Sequence, residues 1–360
     1  MPIKEESFRI GSGRYIQGKG YIYKLVEEIL RLGKTPLIIG GQTALEKTKG
    51  KIKMAIESKI MKYDIVTYKG TCHKESAMRL AQYAQEEGYD VIVGIGGGVI
   101  CDFAKLCASH AKLPILNVPT SSATCAAYTP LSVCYSEEGR TVGSVHYSYE
   151  VDCVIVDTEI LIEQPVRLFV AGVFDALAKF VEIKQRYVEG KEDFPLGLDH
   201  AYIMSKYSFN YLTGKVQKCI DDMQSGIISD DFERVVFPTI ATTGVISGIA
   251  RGSNQTAIAH KFYEAIRFLF PEQTKRFTHG ELVGVGMLIQ NHFNGEEENN
   301  AIILKLMKEH NIPSCIEEMN IEKNHEVFDL LYSKICSSSA IESEEDAKKL
   351  KESMNYFWNL

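Results

Sequence analysis

The chain has 360 residues, 45% of them apolar and 24% charged: the balance of a folded protein, and more length than one core usually serves. A formal net charge of −7 excludes the Lys- and Arg-rich composition of a nucleic-acid backbone binder. Nine scattered cysteines with no CxxC pair, no apolar leader and no apolar run near the roughly 20 residues of a membrane span predict a cytoplasmic protein without a disulfide framework and without a membrane partner.

In chain order, "TPLIIGG" (35–41), "YDIVTYKG" (63–70), "DVIVGIGGG" (90–98), "LPILNVP" (113–119) and "VDCVIVD" (151–157) predict strands. Most are apolar at consecutive positions, as strands covered on both faces of a parallel sheet are. Between them, "ALEKTKGKIKMAIES" and "KESAMRLAQYAQEEG" have helical spacing and good helix formers. The alternation predicts a doubly wound α/β sheet with right-handed crossovers. The connection 119–150 is rich in Ser, Thr, Pro and Gly, and its piece "LSVCYSEEGRTVGSV" reads as a small hairpin. After Pro165 the strand signal fades. Residues 166–190 form one helical pattern with a break expected near Gly172, and further helices are expected over 198–220, 230–250, 254–269, 279–293 and 298–310. Two domains follow: an α/β domain over 1–162 and an all-α domain over 163–360.

Two groups of residues carry chemistry. In "VIVGIGGGVICDFAKLCA" (91–108), glycines directly after a strand let the backbone approach a ligand, and the following helix offers unpaired N–H groups. The spacing G-x-G-G-G misses the dinucleotide fingerprint G-x-G-x-x-G, so a pyrophosphate turn and an ordinary strand-to-helix turn both remain open. Asp102 can be a structural acid near the helix start. The second group is Asp175 in "AGVFDALAKFVE", His260 in "TAIAHKFYEAI" and His279 in "RFTHGELVGVGML". One carboxylate and two imidazoles can close three positions on a divalent ion and leave a position open. An Asp175–Lys179 pair one helical turn apart and two hydrogen-bonded core histidines are the bland alternative, and from spacing alone the bland reading is the preferred one.

Taken together, "GIGGGVICDFAK", "PTSSATCAAYTPLSVCYSEEG", "VIVDTEILIEQPVRLFVAGVFDALAKFVE" and "AH…FTHGELVGVGML" resemble the glycerol dehydrogenase branch of the iron-containing alcohol dehydrogenase superfamily, from residue 13 to about 310. The resemblance implies a dehydroquinate synthase-like fold: an N-terminal nucleotide-binding α/β domain, a C-terminal helical metal-binding domain and an active site between them. It implies NAD- or NADP-linked oxidation of a small secondary or vicinal alcohol, or reduction of the ketone, with one divalent ion (zinc or iron), in a homo-oligomer. By position, Asp175, His260 and His279 match the metal ligands, and Gly96, Gly97 and Gly98 match the pyrophosphate turn. Thr120, Thr129, Leu131 and Tyr135 match cofactor-side positions, and Asp102 an acid near the nicotinamide ribose or the helix start.

Four positions depart from the pattern. Val99 replaces a Lys after the glycine turn, and Gly41 with Gln42 replaces the acid that receives the adenine ribose, which leaves NAD and NADP both open. Cys125 replaces a substrate-binding Asp and Tyr263 a second His, which argues against glycerol itself and makes both candidate substrate-side residues. Arg251 and Lys261 flank the His260 helix as candidate anion contacts, with solvent-facing positions the plainer reading. Two other functions compete: a dehydroquinate synthase-like NAD-using lyase or cyclase, and a catalytically reduced protein that binds metal and nucleotide.

Overall fold

A computed structural model describes residues 8, 10–57, 59–60, 62–137, 139, 141–187, 195–250 and 254–360; Arg251 lies outside them. The elements are, in order, β1 (Tyr15–Gly18), α1 (Leu25–Leu32), β2 (Pro36–Gly41), α2 (Gln42–Ile56), β3 (Asp64–Tyr68), α3 (Lys74–Glu86), β4 (Val91–Gly96), α4 (Gly98–Ala111), β5 (Ile115–Pro119), β6 (Leu131–Tyr135), β7 (Thr141–His146), β8 (Cys153–Asp157) and the short α5 (Thr158–Leu161). Helices follow: α6 (Val166–Lys184), α7 (Leu196–Ser225), α8 (Asp230–Phe237), α9 (Thr243–Ala250), α10 (Ile258–Leu269), α11 (Pro271–Thr274), α12 (His279–Asn294), α13 (Asn300–Glu309), α14 (His325–Cys336) and α15 (Glu344–Trp358).

The consecutive apolar runs become a six-stranded, all-parallel sheet in the order β1-β8-β5-β4-β2-β3. Every residue of β4, β5 and β8 is buried, as helices on both faces require. β1, which no expectation covered, adds the edge beside β8. The predicted hairpin is the antiparallel pair β6–β7.

The strand order locates the topological switch point of the sheet. From β2 the chain moves outward to β3, whereas from β4 it moves the opposite way to β5, so neighbouring β2 and β4 form the switch point of the sheet. Ligands of open α/β sheets bind beyond the carboxyl ends of strands at such a point. Gly41 ends β2 and Gly96 ends β4 there.

Close contacts divide the chain into two units. One comprises Arg9–Pro165 with Gln217–Gly244, the other Val166–Val216 with Val245–Leu360. Segment 217–244 is tied to the sheet edge: Gln17 Nε2 donates to Glu233 O at 2.7 Å, Thr158 Oγ1 to Glu233 Oε1 at 2.9 Å, and the Tyr15 ring meets Phe237 edge-on. The helix expected over 230–250 is interrupted by a π-type turn at Pro238–Thr242, where proline lacks an N–H and Thr243 Oγ1 donates to Pro238 O. At Gly172 no break occurs; α6 runs through it, buried from Phe169 to Ile183. Among the described residues no helix is long and apolar enough to cross a membrane.

Candidate functional site

In the helical unit, three helices each bring one of the predicted metal-directed side chains to a common point. Asp175 comes from the middle of α6, His260 from the first turn of α10 and His279 from the first residue of α12. Small residues make this approach feasible. A Cβ on Gly280 would lie 1.9 Å from Ala171 O of α6, and one on Gly286 would lie 2.4 Å from Ala259 O of α10. The glycines of "HGELVGVG" thus let α12 seat its backbone against both partners. A capping box starts α12: Thr278 Oγ1 accepts from Glu281 N, and Glu281 Oε2 accepts from Thr278 N at 2.6 Å. Arg167 Nε donates to the same carboxylate.

Asp175 Oδ1 lies 3.5 Å from His260 Nε2 and 3.4 Å from His279 Nε2, and the three ligand atoms all fall within 4.8 Å of one another. A tetrahedral ion with bonds of about 2.1 Å separates its ligand atoms by about 3.4 Å, so the residues present fit a small divalent ion. Asp175 and His260 are buried and His279 is the more open of the three. Burial alone would push the Asp175 carboxyl up, but the charge of His279 and the hydrogen bonds that both imidazoles donate when protonated prevail and hold it well below the ordinary range. Burial opposes a charged His260, yet the Glu182 carboxylate outweighs it and raises that imidazole. Of the bland alternative, the Asp175–Lys179 pair is not formed, since Lys179 Nζ donates to Gln255 Oε1 at 2.7 Å, whereas His260 is a buried histidine hydrogen-bonded through Nδ1 to Glu182.

Glu182 went unassigned in the sequence. It stands seven residues after Asp175, two turns along one face of α6, and interrupts the apolar "KFVEIK"; that interruption was the available signal. Tyr263, a candidate substrate-side residue, meets the His279 ring edge-on with centroids 4.4 Å apart. Lys261 Nζ pairs with Glu264 at 2.7 Å, as a surface lysine does.

The cofactor-side candidates lie in the sheet unit, where β4 turns into α4. Thr120 N donates to Gly96 O at 3.0 Å, so the serine- and threonine-rich loop starts against the glycine turn. A Cβ on Gly98 would lie 2.8 Å from Thr124 Oγ1, whereas one on Gly97 would meet nothing within 4 Å. Gly97 is the N-cap of α4; no side chain caps it and no acid occupies the first turn. The turn therefore leaves N–H groups and space toward one side, the fit a pyrophosphate needs. Cys125 O accepts from the N–H groups of Tyr128 and Thr129, forming the bend of the loop. Leu131 and Tyr135 share the more open face of β6, and Thr129 is buried.

Asp102 is drawn into the protein. Its Oδ1 lies 2.9 Å from Lys105 Nζ, and its Oδ2 accepts from Val133 N at 3.1 Å. Lys105, also missed in the sequence, donates to the carbonyls of Thr129 and Leu131. This buried pair holds the backbone of Thr129 and Leu131, two of the cofactor-side candidates. Burial pushes the Asp102 carboxyl up, with Lys105 pulling the other way.

Residues 12–158 match the family described as iron-containing alcohol dehydrogenase. The chain is 30% identical over 266 residues to hydroxycarboxylate dehydrogenase A of Escherichia coli, covering 72% of this chain and 71% of that protein. It is 31% identical over 279 residues to a glycerol dehydrogenase of Thermotoga maritima, covering 77% and 74%. A solved structure of a probable glycerol dehydrogenase from Sinorhizobium meliloti shares the fold, with a TM-score of 0.81 at 20% identity over 99% of this chain and 98% of that one. The chain belongs to the iron-containing alcohol dehydrogenase family, in its glycerol dehydrogenase branch.

Proposed function

We propose that this oxidoreductase acting on CH–OH groups holds a divalent ion on Asp175, His260 and His279 and uses it on a small secondary or vicinal alcohol, or on the matching carbonyl. The observation that carries the reading is a buried carboxylate oxygen faced by two imidazole Nε2 atoms at 3.4 and 3.5 Å. When bound, the ion supplies Lewis acidity to the carbinol oxygen and a nicotinamide supplies the hydride acceptor. The chain does the rest. Asp175 contributes a negative charge from a buried position, where it acts more strongly than at a surface. Tyr263 steadies one side of the His279 ring. On the cofactor side, Gly97 lets a pyrophosphate reach the N–H groups of α4, and Val99, 41% exposed, leaves that charge to the helix end in place of a lysine.

NADP is accepted as well as NAD in this reading, because α2 starts at Gln42 after Gly41 with no acid in its first turn to repel a ribose phosphate. Cys125 and Tyr263 replace a carboxylate and an imidazole, which supports a substrate less hydroxylated than glycerol. The test combines metal analysis of the purified protein with an alcohol and carbonyl panel followed at the nicotinamide absorbance with both cofactors. Asp175→Asn is expected to lose the ion and at least ~10³-fold in kcat/KM, about 4 kcal/mol, while cofactor binding is retained. Undiminished turnover by a verified metal-free Asp175→Asn protein would refute the reading.

A further inference from the structure

We propose that Glu182 is a positioning residue that fixes the ring tautomer of His260, so that its Nε2 presents a lone pair toward Asp175 and His279. The inference rests on the metal-centre reading above. Glu182 is 1% exposed, and its carboxylate is shared among three donors from α10 and the residue preceding it. Oε1 accepts from Ala257 N at 2.7 Å and from His260 N at 2.8 Å, and Oε2 lies 2.6 Å from His260 Nδ1. An ionised carboxylate only accepts, so Nδ1 carries a proton. In the neutral ring Nε2 is then bare, and Nε2 is the atom 3.5 Å from Asp175 Oδ1. One helix, α6, thus supplies a ligand and, two turns later, the group that aims a ligand borne by another helix.

A plainer role competes. Ala257, the N-cap of α10, has no capping side chain, and Glu182 takes up the N–H groups of Ala257 and His260 at that helix start. The isosteric Glu182→Gln separates the two roles. An amide has one acceptor oxygen. If it stays on the two backbone N–H groups, its NH₂ faces Nδ1 and obliges that nitrogen to accept. The ring proton then moves to Nε2 and points into the ligand cluster. The opposite orientation would set two backbone N–H groups against an NH₂, the worse arrangement by two hydrogen bonds. Glu182→Gln therefore keeps the cap and inverts the tautomer.

The experiment uses full-length protein labelled with ¹⁵N-histidine, the His260 signals being assigned by their loss in His260→Ala. With spectra recorded at a pH where the ring is neutral, we expect Nδ1–H in the metal-free wild type and Nε2–H in Glu182→Gln. Zn²⁺ affinity, read by chelator competition, should fall roughly 10–100-fold in that variant while its thermal midpoint stays within a few degrees. Nε2–H in the wild type, Nδ1–H retained in Glu182→Gln, or unchanged Zn²⁺ affinity with an inverted ring would each overturn the proposal. The wild-type tautomer decides it even if Glu182→Gln fails to fold. A wild type that binds no Zn²⁺ yet shows Nδ1–H would instead overturn the metal-centre reading and leave the hydrogen-bond assignment standing.

Discussion

Replacing Gly280 by alanine tests whether the α6–α12 separation sets the metal-directed cluster. The added Cβ would lie 1.9 Å from Ala171 O, and real Cβ contacts stay at 3.0 Å or beyond. The obstacle is backbone, which no rotamer change relieves, so α12 must retreat by about 1.1 Å at this point. Its start is clamped by the Thr278–Glu281 box and by Arg167, so His279 travels with it. Nε2 of His279 is 3.4 Å from Asp175 Oδ1, and metal sites tolerate about ±0.2 Å in ligand distance. A displacement several times that size should cost about 10²-fold in kcat/KM and a comparable factor in Zn²⁺ affinity. Overpacking should also lower stability by about 1–3 kcal/mol. Chelator competition, steady-state kinetics and thermal unfolding of Gly280→Ala measure all three. Wild-type Zn²⁺ affinity and kcat/KM in a folded Gly280→Ala protein would refute the reasoning.

Gly97→Ala should separate binding from stability, since its Cβ meets no protein atom within 4 Å and its φ of −73° suits alanine. Stability should stay within about 0.5 kcal/mol while nicotinamide cofactor Kd rises about 10-fold or more, read by fluorescence titration; unchanged Kd would remove the glycine turn from the cofactor site. Lys105→Met leaves the Asp102 carboxylate buried without its cation and should cost about 3–5 kcal/mol in urea unfolding at neutral pH. Burial already raises the Asp102 carboxyl, and losing the lysine raises it further, so the folded variant keeps a proton that the unfolded chain releases near 3.8. The deficit should therefore grow as pH climbs above that value and shrink in acid; a deficit independent of pH would show that Asp102 is not its source.

Much of this was legible in the sequence, and the rest was hidden for physical reasons. The parallel sheet showed in uninterrupted runs such as "VIVGIG", because strands buried on both faces need no polar alternation. β1 did not show: "YIQG" is four residues long and half-buried at an edge, too short for any periodicity. Pro238 was a visible warning inside the expected 230–250 helix, whereas the attachment of 217–244 to the sheet unit depends on contacts such as Gln17 with Glu233, 216 residues apart. Asp175, His260 and His279 were individually conspicuous as polar residues in apolar helices, yet their convergence is a property of the fold and was supplied by resemblance. Lys105 escaped notice because "DFAKLCA" reads as a helix with an ordinary surface lysine, and only the hairpin folded over it reveals two carbonyls and a carboxylate around Nζ.

One property of α6 bears on how this protein can diverge. Each residue from Phe169 to Ile183 is buried, so the helix has no solvent face on which neutral substitutions accumulate. Asp175, Lys179 and Glu182 therefore sit in a segment where nearly any exchange must be matched by a compensating one elsewhere. Cys125 and Tyr263 are only partly covered, and their exchange does not demand a new core. Under the proposed assignment, adaptation to a new substrate proceeds at such positions while α6 stays almost frozen.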